Sequence, residues 1–145
     1  MEMYITTINS KGYAEMRESE VLDIKLLDFD SYMSEYKCGI TTLKGIEVFK
    51  NLKDLACRND SLTVCDLSQN TELKSFAAQK TKLTSLDFSN NPNLTTLYMN
   101  YNPHLASLNL AGCTKLSNIQ LFDSALTSLE IPNKKAVTNL LIVIH

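Results

Sequence analysis

Residues 83–102 read LTSLDFSNNPNLTTLYMNYN. Leu83, Leu86 and Phe88 occupy the first, fourth and sixth places of the pattern L-x-x-L-x-L-x-x-N, where L stands for any apolar residue. Leu94, Leu97 and Met99 repeat it 11 residues on, and Asn91 and Asn102 fill the ninth place. Such a recurrence is neither the 3.6-residue period of an amphipathic helix nor the unbroken alternation of one strand. It fits a chain that turns, returns and stacks each pass on the one before.

Outward from this stretch, the pattern starts at Leu52, Leu62, Leu73, Leu83, Leu94, Leu105, Leu116, Leu126 and Val137, in steps of 10 or 11. All 27 places that it requires to be apolar are apolar, from Leu52, Leu55 and Cys57 to Val137, Leu140 and Ile142. With 44% of residues hydrophobic, chance agreement is on the order of 10⁻¹⁰. These side chains are the expected core spine. The ninth place holds Asp60, Asn70, Thr81, Asn91, Asn102, Cys113 and Ser124. Small hydrogen-bonding side chains stacked there would satisfy backbone groups turned inward at a tight corner. Lys134 takes the next such place and breaks the series, while Pro92 and Pro103 follow ladder asparagines where no strand donor is needed.

The short steps pair into a unit of 21 to 22 residues with two extended stretches on opposite sides, giving about four and a half turns from Leu52 to His145. Each stretch is too short for a strand plus a helix, so little helix is expected in the repeats. The fold predicted is a β-rich leucine-rich-repeat solenoid, a right-handed superhelix of short strands over residues 52–145. Residues 1–51 form a small α/β N-terminal cap, with a helix near Tyr13–Val21 and an extended stretch near Leu22–Phe29.

LTSLDFSNNPNLTTLYMNYN resembles the bipartite leucine-rich repeats of Bacteroidetes surface proteins and, more distantly, of the internalins. GITTLKGIEVFKNLKDLACRND (39–60) resembles their entry segment. The resemblance spans residues 39–145 and implies a bacterial, cell-surface, protein-protein interaction module. A fold of this kind serves many partners, so it names none. INSKGYAEMRESEVLDI (8–24) resembles a degenerate calcium-loop half, but Thr7 stands where the first acidic ligand belongs and Lys11 where another ligand belongs. A lysine there repels a cation, so no metal and no cofactor are expected.

Composition narrows the function further. A net charge of −2 over 145 residues offers no basic excess for nucleic acid. No apolar run approaches the roughly 20 residues of a transmembrane segment. Met1–Gly12 lacks the basic-then-apolar order of a secretory signal. The compartment therefore stays open between the cell surface, by resemblance, and the cytoplasm. The four cysteines (Cys38, Cys57, Cys65, Cys113) show no C-x-x-C spacing, and Cys57 and Cys65 fall on spine positions. His104 follows Pro103 in a turn with no nucleophile placed beside it, and His145 is terminal. No catalytic group is expected.

Two surface columns remain. Asp66, Asp87, Asn109 and Glu130 recur at the fifth place of alternate half-repeats and would stack roughly 5 Å apart. They read as a cation or basic-partner site, or as a solvated face beside neighbouring serines. The opposite side projects Tyr98 and Phe122 from adjacent turns, with Tyr101 nearby and Arg58, Gln79, Asn100 and Gln120 around them. Exposed aromatics among amides and an arginine have the composition of a partner-binding patch. These seven residues are the candidate site, for a protein or glycan partner. The alternatives are a structural spacer within a larger cell-surface protein and a cytoplasmic inhibitor or immunity protein. Residues 137–145 end in LLIVIH, an uncharged run whose open edge suggests truncation of a longer array, self-association, or packing against a further element.

Overall fold

The computed structural model describes residues 22–28, 41–58 and 61–144. The predicted helix at 13–21, the calcium-loop resemblance, Cys38, Asp60 and His145 lie outside them. The described chain is a β-solenoid of about 4 turns with parallel strands and almost no helix. Two single-turn 3-10 segments occur, Ile46–Val48 and Lys134–Ala136. One side is a six-stranded parallel sheet in the order β1 (Leu26–Asp28), β2 (Asp54–Arg58), β3 (Ser75–Gln79), β5 (Thr96–Tyr98), β7 (Asn118–Ser124), β8 (Asn139–Ile144). The other carries β4 (Ser85–Asp87) paired with β6 (Ser107–Asn109), and an isolated bridge from Thr42 to Val64.

The 10- and 11-residue steps explain this register. Consecutive half-repeats fall on opposite sides, so pairing joins residues one full turn apart: Leu55 to Phe76, Phe76 to Leu97, Leu97 to Ile119, Ile119 to Leu140. The spine is one continuous core. Leu52, Leu73, Leu83, Leu94, Leu105 and Leu116 are wholly buried, and Phe76 and Phe88 meet edge to face with ring centroids 5.2 Å apart. Each such side chain contributes about 1.5–3 kcal/mol by leaving water. Spine positions at the margins (Cys65, Leu108, Leu129, Ile131, Val137, Ile142) are partly buried against this core. Leu140 departs from the expectation: it occupies a spine place yet is 51% exposed. It sits on β8, the terminal strand of the sheet, and no described residue stacks beyond it.

The described ninth-place residues from Asn70 to Ser124 are buried as expected, but they form two ladders, one at each corner. Asn70, Asn91 and Cys113 make the first. Asn70 Nδ2 donates to the carbonyls of Ile46 (2.8 Å) and Phe49 (3.1 Å). Asn91 Nδ2 donates to Leu67 (3.1 Å) and Asn70 (2.9 Å), and Cys113 Sγ to Phe88 at 3.3 Å. This corner uses only donors: the Asn70 and Asn91 side-chain oxygens accept no hydrogen bond within the described protein. A thiol can therefore stand in for an amide. Lys134 is exposed and takes no part.

The second corner stacks Thr81, Asn102 and Ser124, all buried. Thr81 and Asn102 are hydrogen-bonded there, while Ser124 Oγ meets no partner among the described residues. Asn102 uses both ends of its amide. Its Nδ2 donates to Ala78 O (3.0 Å), and its Oδ1 accepts from the Thr81 amide (3.0 Å) and hydroxyl (2.6 Å). The residue before each rung, Lys80, Tyr101 and Asp123, has a left-handed backbone, with φ of 54°, 60° and 54°. Between turns the backbones also close in on each other: a Cβ on Gly112 would run into the carbonyl oxygen of Ser89.

Two outcomes follow for stability. Gly112→Ala lowers the urea midpoint, by roughly 1–3 kcal/mol in unfolding free energy, because backbone must move to admit one methyl group. Asn91→Ala costs about 2 kcal/mol or more by leaving two carbonyls without donors. Asn91→Asp costs more than Asn91→Ala at neutral pH, since a buried carboxylate would face those same carbonyls. Such a carboxyl titrates above its unfolded value, so the deficit of Asn91→Asp shrinks as pH falls and protonation restores a donor. Equal midpoints for the Ala and Asp variants at neutral pH would refute the donor-only assignment.

Candidate binding surface

The outward places of the six-stranded sheet align into three columns. One runs Leu26, Asp54, Ser75, Thr96, Asn118, Asn139; the middle one runs Asp28, Ala56, Ala77, Tyr98, Gln120, Leu141. The third pairs Arg58 with Gln79 and Phe122 with Val143, with Asn100 between them. Two alanines precede Tyr98 in the middle column, so the ring stands as a step at the end of a low shelf.

All seven candidate residues lie on this side or its adjoining corner, and packing divides their roles. Tyr98 and Gln120 are register partners on β5 and β7, both half-buried. The Tyr98 hydroxyl accepts from Asn118 Nδ2 at 2.6 Å, so the ring is held across the strands toward Asn118. Phe122 is also half-buried, two residues along β7 from Gln120. Asn100 is committed to the frame, its Oδ1 accepting the Phe122 amide at 3.2 Å. Tyr101 is the most open of the aromatics: it is 53% exposed at its left-handed corner, anchored by its amide to Phe122 O at 2.8 Å. Arg58 and Gln79 lie on facing strand ends, Arg58 exposed and Gln79 half-buried. Asn118 was absent from the candidate set. The repeat gives the register between β5 and β7, but not that the Tyr98 side chain leans diagonally onto Asn118 rather than standing over its register partner Gln120.

The opposite side is built differently. Asp66 Oδ1 accepts from the Ser68 amide at 2.9 Å, Asp87 Oδ1 from Ser89 at 2.8 Å, and Asn109 Oδ1 from Ala111 at 3.0 Å. Each side chain closes the turn that follows its strand. Hydrogen bonds from the Ser68 amide and hydroxyl hold the Asp66 carboxyl below its ordinary range, and Ser89 does the same for Asp87. Asp66 and Asp87 are thus exposed and serine-bonded, Asn109 closes its turn through Ala111, and Glu130 is exposed. Two shallow depressions lie here, about 490 Å³ by Asn109, Ser128 and Glu130 and about 650 Å³ by Asp66, Asp87 and Asn109.

Burial pushes the Cys65 thiol far up, with smaller contributions from Cys57 and Asp66, and burial pushes Cys113 up to about 11. At neutral pH both are thiols, and the Cys113 proton is the one its ladder bond requires. Among the described residues no three His, Cys, Asp or Glu side chains converge as metal ligands would, and no helix is long and apolar enough to cross a membrane.

No family model matches the chain, and no curated protein matches it. Among solved structures it is similar to the functional domain of the internalin InlJ from Listeria monocytogenes, a domain described as including a cysteine ladder. The TM-score is 0.75 and the identity 29%, covering 86% of this chain and 26% of that one. The chain thus spans about a quarter of the length of the structure it matches. That similarity extends to the solenoid arrangement of a leucine-rich-repeat-type domain.

Thiol chemistry offers a check on these assignments. Iodoacetamide at mildly alkaline pH should leave Cys57, Cys65 and Cys113 unmodified in the folded chain and label all three in urea, as read by peptide mass spectrometry. Rapid native labelling of Cys113 would contradict its ladder position.

Proposed function

We propose that this chain is a non-catalytic macromolecule-binding module that meets a protein partner with the outer face of its six-stranded sheet, around Tyr98, Tyr101 and Phe122. The observation that carries this reading is Tyr101. A bulky residue at φ 60° is strained by about 1 kcal/mol, where glycine would carry no steric penalty and asparagine a smaller one. Its ring is more than half exposed, so the fold recovers little from it. Strain combined with an exposed aromatic is the pattern of a residue retained for contact rather than for packing.

The surrounding surface supports the same reading. Tyr98 is fixed in advance by Asn118, so little side-chain freedom is lost when a partner docks against it. Gln79 and Gln120 supply adaptable polar contacts, and Arg58 adds a cation at the rim. The likeness to InlJ supports a protein-interaction role, and the resemblance of the repeats to Bacteroidetes surface proteins supports a setting on a bacterial cell surface. Buried, protonated thiols and turn-closing carboxylates on the far side favour a non-catalytic chain.

Comparative capture tests the site. Immobilised wild type, Tyr98→Ala, Tyr101→Gly and Asp87→Ala are exposed to the same protein mixture, and bound species are quantified by mass spectrometry. A partner bound through this face is retained by wild type and Asp87→Ala, and its affinity falls at least tenfold for Tyr98→Ala and Tyr101→Gly. Tyr101→Gly keeps or raises the melting temperature, since it removes the left-handed strain. Retention that is indifferent to Tyr98 and Tyr101 but lost with Asp87→Ala would move the site to the opposite face.

A further inference from the structure

The outer face of the six-stranded sheet is divided by charge. A lysine stands just before each of β1, β2 and β3: Lys25, Lys53 and Lys74. They stack in register, the Lys53 amide donating to Lys25 O at 2.8 Å and the Lys74 amide to Lys53 O at 2.7 Å. At the other ends of these strands stand Arg58, the last residue of β2, and Lys80, one residue past β3; both are exposed. Between the two margins the middle outward places are Ala56 and Ala77, half-buried, and Tyr98 follows on the next strand. Five cations thus frame this part of the face against two carboxylates, Asp28 and Asp54, in a chain of net charge −2. On β5 and β7 the outward residues Thr96, Tyr98, Asn118, Gln120 and Phe122 carry no charge.

We infer that this basic trough seats an extended acidic segment of the protein partner, with an apolar side chain on Ala56 and Ala77 against the Tyr98 ring and carboxylates at both margins. The inference rests on the binding role proposed above for Tyr98 and names the chemistry of what docks beside it. From Lys53 to Arg58 the trough is about 16 Å across at roughly 3.3 Å per residue, the span of about five residues of extended peptide. Its alanine floor offers no side-chain hydrogen bond, so it suits a group that gains by leaving water. The lysines on neighbouring strands repel one another, and a bound carboxylate relieves that repulsion.

The same geometry selects a peptide over other anions. Asp54 lies within the trough, half-buried and next to Lys53. A sulfated glycan or a phosphodiester chain, charged along its whole length, would set an anion beside that carboxylate and over the methyl groups. A peptide can carry its carboxylates at the two ends alone. On the opposite side of the solenoid Asp66, Asp87 and Glu130 are exposed, so an acidic segment is steered away from that face and toward this one.

Fluorescence anisotropy of the full chain with a labelled synthetic peptide tests the assignment. The probe carries glutamates at both ends and one phenylalanine in a glycine spacer between them. Wild type is expected to bind it, with a Kd that rises at least tenfold from low salt to roughly 0.5 M. Lys53→Gln with Lys74→Gln, and separately Lys80→Gln, should each weaken binding at least fivefold. Ala77→Gln and Ala56→Gln, which fill the floor without changing charge, should each weaken it at least tenfold at an unchanged circular dichroism spectrum. Lys134→Gln with Lys135→Gln, the same loss of charge away from the trough, should leave the Kd within twofold. Replacing the glutamates of the probe by glutamine, or its phenylalanine by glycine, should cost at least tenfold. No binding by wild type, equal binding of the glutamine peptide, or tighter binding of a sulfated oligosaccharide of the same charge would each overturn the proposal. Probe binding lost with Tyr98→Ala but indifferent to the trough variants would overturn it too, while leaving the Tyr98 contact standing.

Discussion

The corners of this solenoid turn backbone carbonyls inward, away from water and from any strand partner, and each must meet a donor. That requirement shapes the rest of the molecule. A buried carbonyl left unpaired costs on the order of 1–3 kcal/mol, as much as a buried leucine contributes. Asn70, Asn91 and Cys113 supply the donors at one corner, one rung per turn. Because the rungs must superpose, the chain can vary its turn length only slightly, and it does so between 21 and 22 residues. The leucine spine is continuous because the ladders hold the turns in phase.

The second corner solves the same problem with different chemistry, and the difference reaches the surface. Asn102 both donates and accepts, binding Ala78 below and Thr81 on the neighbouring rung. Reaching it requires a left-handed residue immediately before each rung, which places Lys80, Tyr101 and Asp123 in line. The corner thus projects one side chain per turn from beside the sheet. In the turn holding Tyr98 that side chain is a tyrosine. The framework and the proposed contact face share a cause, since the conformation that completes the ladder also sets the Tyr101 ring out into solvent.

The two sides of the solenoid show how identical spacing yields different surfaces. On the β4–β6 side Asp66, Asp87 and Asn109 are each bonded to the turn just after them, which holds them locally. On the six-stranded side the fifth-place residues are Ala56, Ala77, Tyr98, Gln120 and Leu141, which cannot close such a turn. Their positions are fixed by neighbours one turn away, as Tyr98 is by Asn118. The side with long-range constraints is the one free to present a rigid pattern of aromatic and amide groups.

By itself the sequence determined the solenoid, its spine and the composition of its ladders. Apolar recurrence and small polar ninth-place residues are consequences of stacking that every turn must satisfy, so they are written in every repeat. It also placed Tyr98, Tyr101 and Phe122 on one side, since outward places follow from the same count. Only the tertiary structure divided the ninth-place residues into a donor-only ladder and a two-way ladder. It alone showed Asn118 clamping Tyr98 and Leu140 standing open at the end of the sheet. These depend on which atoms meet across turns 21 or 22 residues apart and on whether another turn stacks above. A repeat pattern fixes where each residue lies within its own turn, whereas contacts between turns are set by geometry that no single repeat contains.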